Sequence, residues 1–379
     1  MKITRIKAVP VSFRVPDGQN VRLGIGRAVK RDAVLLRVET DEGIVGWGEA
    51  HHGRCPGAIA KLIDTTISEL VLGMDALDTV AVWQRVYRMQ LASHGMGYAS
   101  AMALSGLDLA LWDIRGKAQN LPLHRLLGGG DHSVPAYAGG ISLGWQEPAS
   151  LADEARMHVA NGYRALKLRV GDTPKRDIAR VQAVRAALGD DIEIMVDANI
   201  GYCLDDVRRV MPAYGECNVA WLEEPFPAQD YRDYKIAAGL GRVPLAAGEN
   251  HFTRFEFTRL IEDGAVRFAQ PDLSKTGGVT EAARIAAMCS AYKITFNPHT
   301  SLTAINMAAS IHMLGAVDNP GYFEGDVTGY NPFRDNLGTL PYELDADGRV
   351  HPLSGPGIGI EVDEKFVAAH PLIDGPCYV

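Results

Sequence analysis

No two of the five cysteines in this 379-residue chain form a Cys-x-x-Cys pair. Cys55, Cys203, Cys217, Cys289 and Cys377 are scattered and odd in number, which argues against a disulfide framework and for a thiol-reduced, cytoplasmic protein. No apolar run approaches the length of a membrane span, so no membrane partner is expected. The opening MKITRIKAVPVSF soon alternates apolar with polar residues, the pattern of a strand rather than of a signal peptide. Basic runs are missing too, and a net charge of −8 excludes a phosphate-neutralising face, hence nucleic acid as a partner. Aromatic residues are spread out and offer no stacking platform. Gly-x-Gly-x-x-Gly and Walker spacings are absent; LGGGD (127–131) and KTGGVT (275–280) need only turn or helix-start roles.

What remains, 47% hydrophobic and 22% charged residues, is the composition of a globular protein large enough for a barrel with an accessory domain. Residues 1–130 read as an α+β unit: a hairpin in AVLLRVETDEGIVGWGEA (33–50), then helical periodicity through ASAMALSGLDLALWDIRGKAQN (99–120). Between 131 and 328 short apolar strands alternate with amphipathic helices. The strand segments are VPAYAGGIS, ALKLRV, IEIMVDAN, VAWLEEPF, PLAAGEN, VRFAQPDL, ITFNPHTS and GYFEGDV, with seven helical segments between them. This α/β grammar predicts a TIM-type barrel rather than an open doubly wound sheet. The Gly/Pro-rich remainder, 329–379, is expected to pack back on the first domain.

In such a barrel, catalytic groups gather at the C-terminal ends of the strands. Three successive strand segments end in acids, Asp197, Glu223 and Glu249, each 26 residues after the last (223 − 197 and 249 − 223), one strand-helix unit apart. Helix capping explains a single acid of this kind. Three carboxylates at one mouth repel one another unless a cation sits between them, and oxygen-only ligands favour a hard ion, Mg²⁺, one per subunit. The next two segments carry Asp272 and His299; a carboxylate beside an imidazole orients it and raises its pKa, making a base that can also act as an acid. Glu324, on the last strand, is placed either to donate to a substrate oxygen if protonated or to form an ion pair.

With these residues in register, the chain resembles the enolase superfamily, mandelate racemase subgroup, over essentially its whole length. The resemblance implies a modified (β/α)₇β barrel, with the active site closed by loops of an N-terminal α+β cap. It further implies removal of the proton α to a carboxylate, giving an enediolate that Mg²⁺ stabilises. Asn199 is then expected to face the α-substituent, Lys167 the carboxylate, Lys275 the metal region, and Glu324 the carboxylate from its other side. Proteins resembling this one are usually symmetric homo-oligomers.

One position departs from the family pattern. The second strand of the family carries Lys-x-Lys, the second lysine being a base opposite the histidine; here ALKLRVG places Arg169 there. A guanidinium keeps its proton, so one competent acid/base side remains, that of His299. Dehydration needs only that side, whereas a racemase or epimerase needs both. The expected reaction is β-elimination of water from an acid sugar to a 2-keto-3-deoxy acid. The alternatives are a racemase, epimerase or cycloisomerase, a barrel that binds a small acid without turnover, and an Arg169 that merely pairs with a metal-site acid. Arg22, Arg27, His51, His52 and Arg54 are placed where caps contact the distal end of the substrate, and their polarity suits a polyhydroxylated acid, with one carboxylate or two.

Overall fold

The computed structural model describes residues 1–300 and 302–379; Ser301, the last residue of the expected strand segment ITFNPHTS, lies outside them. Eight barrel strands run Val134–Gly139, Ala165–Arg169, Glu193–Asp197, Val219–Glu223, Leu245–Ala247, Phe268–Ala269, Thr295–Phe296 and Phe323–Asp326. Each pairs in parallel with the next as far as the seventh, and the eighth pairs in parallel with the first. The seventh closes onto the lead-in to the eighth through one bridge, Phe296 with Pro320. Phe296 N–H donates to Asn319 O at 2.8 Å, and Gly321 N–H to Phe296 O at 2.8 Å. Among the described residues, seven helices, from Pro148–Ala160 to Ala304–Leu314, join the strands. The architecture is the modified (β/α)₇β barrel.

The fifth to seventh strands are shorter than the sequence segments suggest. Pro271 and Pro298 closely follow the sixth and seventh, and a proline has no N–H with which to extend a ladder. Glu249, Asp272 and His299 therefore stand on loops just past the strand ends.

Alternation along each strand decides what faces the barrel axis. Leu166 and Leu168 of the second strand join the core beneath the helices, while Ala165, Met195 and Trp221 make a small apolar layer inside the barrel. Two residues further along these three strands stand Lys167, Asp197 and Glu223. The interior thus changes from an apolar to a charged layer within one side-chain repeat.

The cap contributes a three-stranded antiparallel sheet, Ile3–Arg14, Lys30–Thr40 and Val45–Ala50, with Lys30–Thr40 in the middle. That middle strand is buried on both faces: Val34, Leu36 and Val38 enter the cap core, Ala33 and Leu35 the barrel core. The helix Tyr98–Gln119 lies against the third strand so closely that a Cβ on Gly48 would meet Gly106 O at 2.0 Å, and one on Gly46 would meet Ala110 O at 2.2 Å. Glycine at both positions is what permits backbone contact here. Leaving the sheet, the chain reaches the barrel mouth at once, His51 N–H donating to Ser274 O at 3.0 Å. The C-terminal segment first adds Arg349–Val350 to the first barrel strand and then crosses to the cap, where Val11 bridges Pro371 and Ala28 bridges Tyr378. No helix among the described residues is long and apolar enough to cross a membrane.

Candidate active site

Lys167 has no exposed surface, and its Nζ lies 2.7 Å from Glu223 Oε1, 3.0 Å from Glu324 Oε1 and 3.6 Å from Asp197 Oδ2. Burial alone would lower its pKa, but Glu223 and Glu324 carry it well above the ordinary lysine value, so it is a fixed ammonium. Arg169 is held likewise: Nη1 donates to Asp197 Oδ2 and Nη2 to the Gly140 carbonyl. Asn199, at φ +43°, turns back so that its N–H donates to Asp197 Oδ1 at 2.8 Å and its amide to Oδ2 at 3.2 Å. The ion pair between Arg169 and a triad acid, one of the sequence alternatives, is thus formed in this structure.

The remaining acids are less well matched. Glu223 Oε2 accepts from Gln270 at 2.7 Å and Trp221 at 3.2 Å, and burial, offset by Lys167 but aided by Asp197 and Glu324, pushes the carboxyl up to about 7. Glu224 accepts from Asn250 at 2.7 Å through Oε2, yet its buried Oε1 has no partner. Burial, Glu249 and Asp197 together drive Glu224 well above the usual carboxylate range. Glu249 lies 2.6 Å from His299 and 3.7 Å from Lys275; despite burial, those two cations hold it well below its ordinary value. Six acids, Asp197, Glu223, Glu224, Glu249, Asp272 and Glu324, face Lys167, Arg169, Lys275 and His299. Carboxylates in excess of cations, all oxygen donors, with one orphaned oxygen among them, fit a hard divalent cation such as Mg²⁺.

His299 lies beside this group. Its Nδ1 is 2.7 Å from Asp272 Oδ2, and Asp272 Oδ1 accepts from Ser274 N–H at 2.7 Å and Asn306 Nδ2 at 3.1 Å. Pairing with a carboxylate places a proton on Nδ1 and turns Nε2 toward Glu249 and the reaction space. Burial opposes protonation of His299, but Glu249, Glu324 and Asp272 raise its pKa to about 10. Glu324, although buried, is brought down to about 2 by Lys167, His299 and Arg169. Its carboxyl is therefore ionised and paired, not the protonated donor that the sequence left open.

A cavity of about 410 Å³ opens between cap and barrel, within the usual range for small-molecule sites. Arg169, Asn199, Glu249, Lys275 and His299 line its barrel side; His51, His52 and Arg54 line the cap side. Asp197, Asp272 and Glu324 stand one contact behind that wall, and Lys167 and Glu223 one contact further in. Arg22 and Arg27 do not reach it. They belong to a two-residue hairpin in which Leu23 turns inward and Arg22 outward, against Trp145 at 5.8 Å beside a separate groove. The cap histidines are neutral donors rather than cations. Burial, reinforced by His52 and Lys275, holds His51 well below its ordinary value, and burial brings His52 to about 4. Each Nδ1 accepts a backbone N–H two residues on, which leaves the ring proton on Nε2.

Sequence reasoning missed Arg31, Glu224 and Tyr378, all of which line the cavity. Glu224 stands beside Glu223 in LEEPF and could have been found there. Tyr378, second from the end of the chain, carries no local signal.

The chain matches known proteins in both of its parts. Residues 6–128 match the mandelate racemase / muconate lactonizing enzyme N-terminal domain, and residues 150–366 match the enolase C-terminal domain-like family. The chain belongs to the enolase superfamily, mandelate racemase subgroup, and is an enzyme. It is 32% identical over 352 residues to a D-galactonate dehydratase of Pectobacterium atrosepticum, covering 88% of this chain and 90% of that one. To a D-galactarolactone cycloisomerase of Agrobacterium fabrum it is 32% identical over 388 residues, covering 99% and 100%. Among solved structures, an enolase superfamily member from Polaromonas sp. JS666 superposes with a TM-score of 0.97 at 55% identity, covering 100% of both chains. A racemase from Streptomyces coelicolor A3(2) with bound magnesium superposes with a TM-score of 0.88 at 29% identity, covering 98% of this chain and 100% of that one.

Proposed function

We propose that the protein is a Mg²⁺-dependent acid sugar dehydratase, converting an aldonate or aldarate to a 2-keto-3-deoxy acid. The observation that carries this reading is the asymmetry of the proton-transfer groups. His299 lines the cavity and has an orienting carboxylate, whereas Arg169 is clamped on Asp197 and the Gly140 carbonyl. Asp197, Glu223 and Glu249 would hold the ion, with Glu224 beside them. Mg²⁺ bound there would supply positive charge to offset the anion left when the α-proton is removed.

The chain's own residues do the rest. His299 is an imidazolium while Nε2 pairs with Glu249; with Glu249 turned to the ion it would lose that proton and remove the α-proton through Nε2, Asp272 supporting the imidazolium that forms. The imidazolium returns that proton to the β-hydroxyl as the C–O bond breaks, so water departs and an enol remains, which ketonises. Lys167 and Arg169 are fixed cations near the substrate carboxylate, and Asn199, Lys275 and the neutral cap histidines position hydroxyl groups.

Cycloisomerisation of an acid-sugar lactone is the second reading, favoured by the end-to-end similarity to the Agrobacterium enzyme. Mass spectrometry of products formed with Mg²⁺ in D₂O from a panel of acid sugars and their lactones separates the two. Loss of water, abolished in His299→Asn, is the expected result. Isomerisation or α-deuterium uptake without loss of water would replace the dehydratase by the isomerase reading.

A further inference from the structure

Three residues that line the cavity, Arg31, Arg54 and Tyr378, have no part in the reaction chemistry. Arg31, on the middle cap strand, lines the cavity and is only 5% exposed. Its Nη1 is shared between Asp326 Oδ2 at 3.4 Å and Thr328 Oγ1 at 3.2 Å, while its buried Nε has no hydrogen-bond partner. Arg54 lies on the cavity wall at φ +59° and makes no ion pair among the described residues. Its guanidinium sits over the Tyr378 ring, 5.4 Å from the centroid. The Tyr378 hydroxyl makes no hydrogen bond among the described residues either. Arg169, the other guanidinium on the cavity wall, is spent on Asp197 and Gly140.

Tyr378 is held in place rather than trailing. Arg27 N–H donates to Val379 O at 2.8 Å and Val379 N–H to Arg27 O at 3.0 Å, while Val29 N–H donates to Cys377 O at 2.9 Å. Beneath, the Cys377 thiol donates to Asp32 Oδ2 at 2.9 Å, and Lys30 Nζ lies 3.2 Å from the same oxygen. Residues 377–379 are thus tied to the cap around a single bridge, Ala28 with Tyr378, and Tyr378 lines the substrate space. Asp326, the acid nearest Arg31, is no obstacle: Arg31, Thr328 and Asn331 already engage its oxygens.

We infer that Arg31, Arg54 and Tyr378 form a distal anion subsite for the second carboxylate of a dicarboxylic acid sugar, completed by the C-terminal residues 377–379. The inference rests on the acid-sugar reading above and narrows its substrate class. A carboxylate offers two acceptors to guanidinium and phenol donors, in charge-assisted bonds stronger than those a terminal hydroxymethyl group can make. A monoacid leaves the buried Arg31 donor unpartnered, and discrimination of this kind exceeds what shape alone provides.

The test is isothermal titration of Mg²⁺-loaded His299→Asn protein with six-carbon aldarates and the matching aldonates, so that binding is read without turnover. The best aldarate is expected to bind at least about tenfold more tightly than its aldonate. Arg54→Gln and Tyr378→Phe, each added to that protein, should shrink the ratio severalfold while leaving Mg²⁺ affinity and the unfolding midpoint unchanged. Arg54 is exposed, so its variant tests the subsite without burdening the fold. Equal binding of both acids, a ratio untouched by both variants, or binding of neither acid overturns the subsite. Selective aldarate binding together with no loss of water from any acid in wild-type protein retires the dehydratase reading and leaves the subsite standing.

Discussion

Asp272 and His299 meet through Oδ2 and Nδ1 at 2.7 Å, and the opposite oxygen of Asp272 is held by Ser274 and Asn306. The imidazole is thereby held by Nδ1–H, and Nε2 is the atom that would transfer a proton. Asp272→Asn is expected to lower kcat by about 10²- to 10⁴-fold, the range of a general acid–base contribution, with Mg²⁺ affinity nearly unchanged. Steady-state kinetics beside a metal titration checks this, and a loss under about threefold would assign Asp272 a structural role instead.

Arg169 spreads its guanidinium over Asp197, Asn199 and the Gly140 carbonyl, a fork that a lysine cannot reproduce. Arg169→Lys should reduce kcat/KM by roughly ten- to a hundredfold. Exchange of the α-proton should still occur from one face only. Deuterium appearing with inverted configuration in the recovered substrate of the wild-type enzyme would overturn the one-base mechanism.

Asp197, Glu223 and Glu249 are the residues proposed to hold the ion, and an ion bound only by the folded protein would stabilise that state. At a hundred times its Kd, Mg²⁺ is expected to add about 2.7 kcal/mol to the unfolding free energy. Thermal unfolding with and without the ion should show an upward shift in wild type that is lost in Glu249→Gln. An equal shift in the variant would exclude Glu249 as a ligand.

Glu49 reaches from the cap sheet to the start of the helix Ala304–Leu314, where Thr303 Oγ1 and Asn306 N–H donate to it. Burial, only partly offset by the Thr303 hydrogen bond, raises its pKa from 4.5 to about 8. A carboxyl whose folded-state pKa is raised favours the folded state most fully below about 4.5, and that contribution is lost as the pH rises through about 8. The unfolding midpoint of Glu49→Gln should therefore fall less than that of wild type between pH 5 and pH 9. Parallel pH profiles would show that Glu49 is not buried uncharged.

Gly48 allows the third cap strand to touch the helix Tyr98–Gln119, and an added methyl would lie 2.0 Å from Gly106 O. Gly48→Ala should destabilise the protein by about 1–3 kcal/mol through overpacking. Denaturant unfolding measures it, and a loss below about 0.5 kcal/mol would mean that helix and strand can part without cost.

Asp197, Glu223, Glu249, Asp272, His299 and Glu324 were legible without coordinates because each closes a strand unit, and repeated units bring their ends to one mouth. Lys167 and Arg169 could be read as inward-facing for a similar reason: the two-residue period of a strand leaves them no other side once Leu166 and Leu168 pack against helices. Those periodicities are local, so a linear sequence displays them. Where each side chain's charge is spent is not a local property. That Arg169 is clamped on Asp197, that Glu224 keeps an unmatched oxygen, and that His51 is neutral depend on distances between separate strands and on burial. Arg22 and Arg31 lie nine residues apart in one cationic stretch, yet only tertiary packing turned the first outward and the second into the cavity. Tyr378 is the extreme case, joining the site only because the end of the chain returns to pair with a cap segment some 350 residues earlier. The sequence by itself determined the barrel, its mouth and the acids there; tertiary structure alone decided which charges stay free to meet a substrate, because electrostatic balance depends on separation in space.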